Sequence, residues 1–74
     1  MVDRIKSILK DIQPEFDFSV HVNFIEEGML DSFDMINLVT SLDEEFGISI
    51  DGMDILPENF SSVEAITTLV QKTK

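Results

Sequence analysis

Asp31-Ser32-Phe33-Asp34-Met35-Ile36-Asn37-Leu38-Val39-Thr40-Ser41-Leu42-Asp43-Glu44-Glu45-Phe46-Gly47 is the stretch on which the fold turns. Met35, Leu38, Val39, Leu42 and Phe46 recur at helical spacing with Ile36 beside them, while Asp34, Asn37, Ser41 and Glu44 point elsewhere. That pattern predicts a helix over 32–46. Asp31 is a natural N-cap, and Asp34, three residues on, places a carboxylate at the positive end of the helix. Gly47 supplies the stop.

Ser32 then falls in the first turn, where its hydroxyl can face solvent beside backbone N–H groups that have no intrahelical partner. A phosphodiester on that oxygen would lie at the favourable end of the helix dipole. The approach to it, Glu27-Gly28-Met29-Leu30, is a glycine-bearing loop.

Working outward, Val2, Ile5, Ile8, Leu9 and Ile12 predict a first helix over 2–13, ended by Pro14, which disfavours helical geometry at Gln13. A last helix opens on Ser61-Ser62-Val63-Glu64, read as a capping box of Ser61 and Glu64, with Val63, Ile66, Leu69 and Val70 on one face. It closes on Lys72 and Lys74, cations suited to the negative helix end. Before it, Pro57-Glu58-Asn59-Phe60 allows one helical turn, with Phe60 as a core anchor.

Between the first two helices, Phe16, Phe18, Val20, Val22 and Phe24 alternate with polar residues as a strand would. The other short candidate, Gly47-Ile48-Ser49-Ile50, makes a poor partner, because two strands rarely stand alone. An extended loop dipping its apolar residues into the bundle is the better reading. The fold class is all-α: three main helices and one short one, in a single domain over 1–74. The expected core is Ile5, Ile8, Leu9, Met35, Leu38, Val39, Leu42, Phe46, Ile66 and Val70.

At 74 residues, 43% of them hydrophobic, the chain can bury only roughly 60% of its unfolded surface, too little to enclose a large active site. It has no cysteine, so any thiol chemistry has to be imported. Fifteen acidic residues against five basic ones give a net charge of −10, which repels nucleic acid and anionic membranes and attracts basic protein surfaces. No apolar run approaches the roughly 18 residues of a membrane span. Together with an opening that alternates charged and apolar residues, this predicts a cytoplasmic, monomeric protein without membrane insertion.

No base and nucleophile pair can be assembled, since His21 is the one histidine and sits in the alternating loop, where solvation is the default. Asp51, Asp54 and Glu58 fail the spacing of a calcium loop, so no metal site is expected. Met29, Met35 and Met53 read as core and rim filling, with Met29 partly exposed beside Ser32.

The motif Gly28…Asp31-Ser32-Phe33 resembles that of the acyl and peptidyl carrier protein family: a glycine, a short linker, then Asp-Ser and a large apolar residue. Asn23-Phe24-Ile25-Glu26-Glu27-Gly28 resembles the family's approach to the motif, and Leu42-Asp43-Glu44-Glu45-Phe46-Gly47-Ile48 its exit from the second helix. The block from Ile55 to Ile66 resembles its third and fourth helices. Leu-Asp-Ser-Phe looks most like the D-alanyl and specialised stand-alone carriers.

The resemblance implies that Ser32 receives 4′-phosphopantetheine from coenzyme A through a phosphopantetheinyl transferase, with Asp31 near the transferase's magnesium. The arm's thiol would carry an acyl or aminoacyl thioester between an activating enzyme and downstream condensing or transferase enzymes, the carrier itself not being an enzyme. The resemblance also implies docking through the second helix, with Asp34, Asn37, Ser41, Asp43, Glu44 and Glu45 as exposed positions and Met29 and Phe33 as apolar contacts beside the arm. The rival reading is an acidic helical interaction module that binds a basic partner and bears no arm.

Overall fold

The computed structural model describes residues 1–73 and is all-α. Its elements in chain order are α1 (Val2–Ile12), α2 (Ser32–Phe46), a 3₁₀ turn over Gly52–Asp54, a second over Pro57–Phe60, and α3 (Val63–Thr73). The helix α1 packs against both α2 and α3, and the Pro57–Phe60 turn lies against α3. Among the described residues no strand forms.

Each helix ends where its chemistry dictates. Helix α1 stops at Ile12 because Gln13, ahead of Pro14, leaves helical geometry (φ −134°, ψ 78°), its N–H still donating to the Leu9 carbonyl. Helix α2 ends on Gly47, whose left-handed conformation (φ 63°) would strain any residue with a Cβ. The expected core is buried, with Phe46 packed partly buried at its edge, and Phe18, Phe24, Leu30 and Phe60 join it from the connections.

Four expectations are corrected. The start of α3 is capped by Ser62, not Ser61: the Ser62 hydroxyl accepts the Ala65 N–H at 3.0 Å. Ser61 instead continues the preceding turn in helical geometry (φ −77°, ψ −18°), and its hydroxyl donates to the Glu58 carbonyl. Met53 is not core or rim but stands 83% exposed on the Gly52–Asp54 turn, which the sequence reading did not anticipate. Ile36, placed beside the apolar face of α2, is 54% exposed, because its position on the helical wheel turns it toward Phe33 and away from α1. Lys72 forms an ion pair with Asp54 at 3.3 Å, and Lys74 lies outside the described residues.

The fourth correction concerns the 13–31 connection, which is a chain of turns and not an extended segment. Asp17 accepts the Ser19 N–H at 3.0 Å, and Asn23 accepts the N–H groups of Ile25 and Glu26, each at 3.0 Å. Such side-chain turns compete directly with strand geometry. Phe18 and Phe24 point inward and meet edge to face at 5.0 Å, whereas Val20 and Val22 stay exposed. The backbone of Phe24 anchors the segment: its N–H donates to the Ser61 carbonyl at 2.8 Å.

The Asp17 turn has a titration signature. Ser19 donates both its hydroxyl and its amide to the Asp17 carboxylate, and these bonds hold its pKa below the usual 3.8. A carboxyl lowered in the folded state stabilises it above the unfolded pKa, and that contribution disappears as pH falls through the folded value. The Asp17 carboxyl carbon in an NMR titration should therefore show a midpoint below 3.8 that moves back up in Ser19→Ala. An unchanged midpoint in the variant would count against the turn.

Candidate functional site

The loop before α2 is held from behind. The Phe24 carbonyl accepts the N–H groups of Met29 (2.8 Å) and Leu30 (3.3 Å), and Gly28 takes a positive φ of 74° to fold the chain back for those bonds. Met29 and Leu30 are thereby buried, which corrects the expectation that Met29 lies exposed as a contact beside Ser32. Burying two apolar side chains under the loop delivers Asp31 to the surface in an extended conformation (φ −109°, ψ −173°) suited to an N-cap.

Asp31 and Asp34 then form a reciprocal capping box. Asp31 Oδ1 accepts the Asp34 N–H at 2.9 Å, and Asp34 Oδ2 accepts the Asp31 N–H at 3.2 Å. The same Asp34 oxygen accepts Gln13 Nε2 at 2.9 Å. Asp34 is accordingly 8% exposed, which corrects its expected place among the exposed positions of the helix: two donors, Gln13 Nε2 and the Asp31 N–H, draw one of its carboxylate oxygens inward.

Ser32 is the first residue of α2 and is exposed, as are Asp31 and Phe33. Among the described residues its hydroxyl makes no hydrogen bond, and the amides of Ser32 and Phe33 have no intrahelical acceptor. A hydroxyl, two open N–H groups and the positive end of a 15-residue helix thus coincide. An esterified phosphate fits this place chemically, since it finds donors and a favourable field without displacing a packed side chain.

Around Ser32 the surface is more apolar than the sequence suggested. Phe33 is 83% exposed, and Ile36, one turn along, is exposed beside it. Asn37 is exposed, and Ser41 is half-buried. Of the remaining acidic residues, Asp43 is half-buried because its Oδ1 accepts the Ile50 N–H at 3.0 Å, correcting its expected exposure. Glu45 pairs with Arg4 at 3.4 Å, and Glu44 is exposed with no ion pair among the described residues.

Sequence reasoning missed Ile36 and Gln13. The first could have been found by plotting Phe33 and Ile36 together on the wheel. The second carried no signal, because it meets Asp34 across 21 positions of chain.

A groove of about 630 Å³ lies between α1, the 18–23 loop and the start of α3, bordered by Val2, Phe18, Val20, Val22 and Val63 with the exposed His21. None of its lining belongs to the 27–37 stretch. Among the described residues no helix is long and apolar enough to cross a membrane. No acidic or histidine cluster able to hold a metal ion forms among them either, Asp51 being turned to cap the Met53 N–H at 2.9 Å.

Comparison with known proteins bears on the chain as a whole. The family described as "Phosphopantetheine attachment site" matches residues 2–70. Aminoacyl carrier protein 1 of Bradyrhizobium diazoefficiens is 33% identical over 70 residues, covering 95% of this chain and 77% of that protein. No solved structure matches. These matches favour a carrier over an acidic interaction module without an arm. The chain therefore belongs to the acyl and peptidyl carrier protein family, whose domain is the site of covalent 4′-phosphopantetheine attachment, and its role is that of a carrier.

Proposed function

We propose that Ser32 is the residue that bears the prosthetic arm, that the 74 residues act as a single, non-enzymatic carrier domain, and that the cargo is an aminoacyl or closely related acyl group. The observation that carries the attachment site is the coincidence of an exposed, unbonded hydroxyl with two open amides at the first position of α2. When bound, the arm supplies the thiol that this cysteine-free chain lacks and holds cargo on it as a thioester. The aminoacyl preference rests on the name of the Bradyrhizobium relative.

The residues of this chain do the rest by position. The Asp31–Asp34 box fixes the start of α2, and the N–H groups of Ser32 and Phe33 stay open in the same turn as the hydroxyl that receives phosphate. Asp31, exposed and with Oδ2 unused, is placed to approach the magnesium of a phosphopantetheinyl transferase. Tethering raises the local concentration of cargo at an activating enzyme and then at condensing or transferring enzymes. Cytoplasmic, monomeric operation is consistent with the charge of −10.

Docking on this reading centres on Phe33 and Ile36, with Asn37, Ser41, Glu44 and Glu45 around them. Burying an exposed aromatic ring is worth about 1.5–3 kcal/mol, whereas a rim charge contributes under about 1 kcal/mol. Phe33→Ala should therefore raise the activating enzyme's KM for the carrier about tenfold, and Glu44→Gln should change it less than about threefold. The reverse ranking in steady-state kinetics would refute an apolar docking centre.

The attachment site is tested by incubating the purified chain with coenzyme A, magnesium and a broad-specificity phosphopantetheinyl transferase, followed by intact-mass and peptide mass spectrometry. The expected result is a gain of one phosphopantetheine, mapped to the peptide containing Ser32. No gain under conditions that modify a known carrier, or a gain mapped elsewhere, overturns the proposal.

A further inference from the structure

Gln13 lies far from Ser32 in sequence, yet its side chain ends at the same carboxylate that organises the head of α2. It donates through Nε2 to Asp34 Oδ2 at 2.9 Å. That oxygen also accepts the Asp31 N–H at 3.2 Å, and Asp34 returns its own N–H to Asp31 Oδ1 at 2.9 Å. One oxygen of a nearly buried residue thus joins the C-cap residue of α1 to the amide of Asp31, the residue before Ser32. The chain between them is turns, so no regular element provides this link along the backbone.

We propose that Gln13 is a positioning residue for the modification of Ser32, acting through Asp34 to hold the Asp31–Ser32 segment in the conformation that a transferase reads. This rests on the assignment of Ser32 as the attachment residue.

The physical argument is one of constraint. A carboxylate held by a single donor can rotate about its last torsion, whereas two donors converging on one of its oxygens restrict that rotation. Bonds to an ionised acceptor are among the stronger ones a protein makes. Without Gln13, Asp34 Oδ2 keeps only the Asp31 N–H, and the box on which the orientation of Asp31 and Ser32 depends loosens. Small misplacements of a reacting group cost rate far out of proportion to their size. Gln13 does not belong to the exposed surface around Phe33 and Ile36, so encounter with the transferase is left intact. The loss then falls on kcat and not on KM.

The test compares wild type, Gln13→Met and Gln13→Lys in initial-rate phosphopantetheinylation by one purified transferase, well below the melting temperature of each protein. Methionine keeps the length of glutamine without a donor, while lysine keeps a donor for the same carboxylate. Gln13→Met is expected to lower kcat about tenfold with KM within about twofold, the scale of one lost charge-assisted hydrogen bond. Gln13→Lys should recover to within about twofold of wild type. In parallel, the Asp31 amide resonance should move in Gln13→Met and return toward its wild-type position in Gln13→Lys.

Wild-type kcat in Gln13→Met, or equal losses in both variants, overturns the positioning role while leaving Ser32 as the attachment residue. A wild-type chain that takes up no phosphopantetheine at Ser32 overturns both.

Discussion

Ser32→Ala is expected to remain at its unmodified mass in an incubation that converts the wild-type chain, while folding as well as the parent. The serine hydroxyl makes no hydrogen bond among the described residues and is exposed, so its removal leaves no buried partner unsatisfied. Alanine is the best helix former, and surface changes of this kind usually stay within about 0.5 kcal/mol. The lost modification can then be attributed to chemistry, not to a disordered domain.

The other serines of the chain explain why none should substitute. Ser19 and Ser61 already donate to Asp17 and to the Glu58 carbonyl, and Ser62 caps α3. Ser7 is exposed but sits mid-helix in α1, Ser41 is half-buried mid-helix in α2, in both cases where neighbouring amides are used in the ladder, and Ser49 follows the end of α2 in irregular chain. Among the described residues, position 32 alone combines a hydroxyl free of hydrogen bonds with open amides at a helix start. Uptake of the arm by Ser32→Ala, read by intact mass, would show that another hydroxyl serves.

Phe24→Ala should have the largest effect on stability. The ring is 1% exposed, meets Phe18 edge to face, and sits on the residue whose backbone binds Ser61 on one side and Met29 and Leu30 on the other. Truncating a buried phenylalanine costs about 3–5 kcal/mol. A domain of this length has only roughly 4–11 kcal/mol in hand at about 0.05–0.15 kcal/mol per residue. We therefore expect thermal unfolding to drop by more than about 10 °C. Because the Phe24 carbonyl organises the loop that leads to Ser32, the amides of Met29 and Leu30 should also lose hydrogen-exchange protection before α1 does. A change in stability below about 1 kcal/mol would mean that the ring is not the anchor its burial indicates.

The three main helices could be read from periodicity because each buries one stripe against the others, and their ends were written in local chemistry at Asp31, Gly47 and Pro14. What escaped the sequence was decided by contacts distant in the chain or by competition between neighbouring caps. Val20 and Val22 share with Phe18 and Phe24 a perfect alternation with polar residues, yet side-chain turns at Asp17 and Asn23 break the extended geometry that alternation needs. Ser61 and Ser62 both offered a capping hydroxyl, and the preceding turn claimed the first.

The motif around Ser32 was legible as a whole, but the environment of its individual members was not. Asp34 and Met29 are as polar or as flexible as their exposed neighbours in composition. They are buried by Gln13 and by the Phe24 carbonyl respectively, partners that no local pattern announces.

Exposed Phe33 and Ile36 would ordinarily make a protein sticky toward its own kind. Here the chain as a whole carries ten surplus negative charges, so two copies repel one another as they approach. Colloidal repulsion among identical molecules thus opposes the clumping that a patch of bare hydrocarbon would otherwise favour.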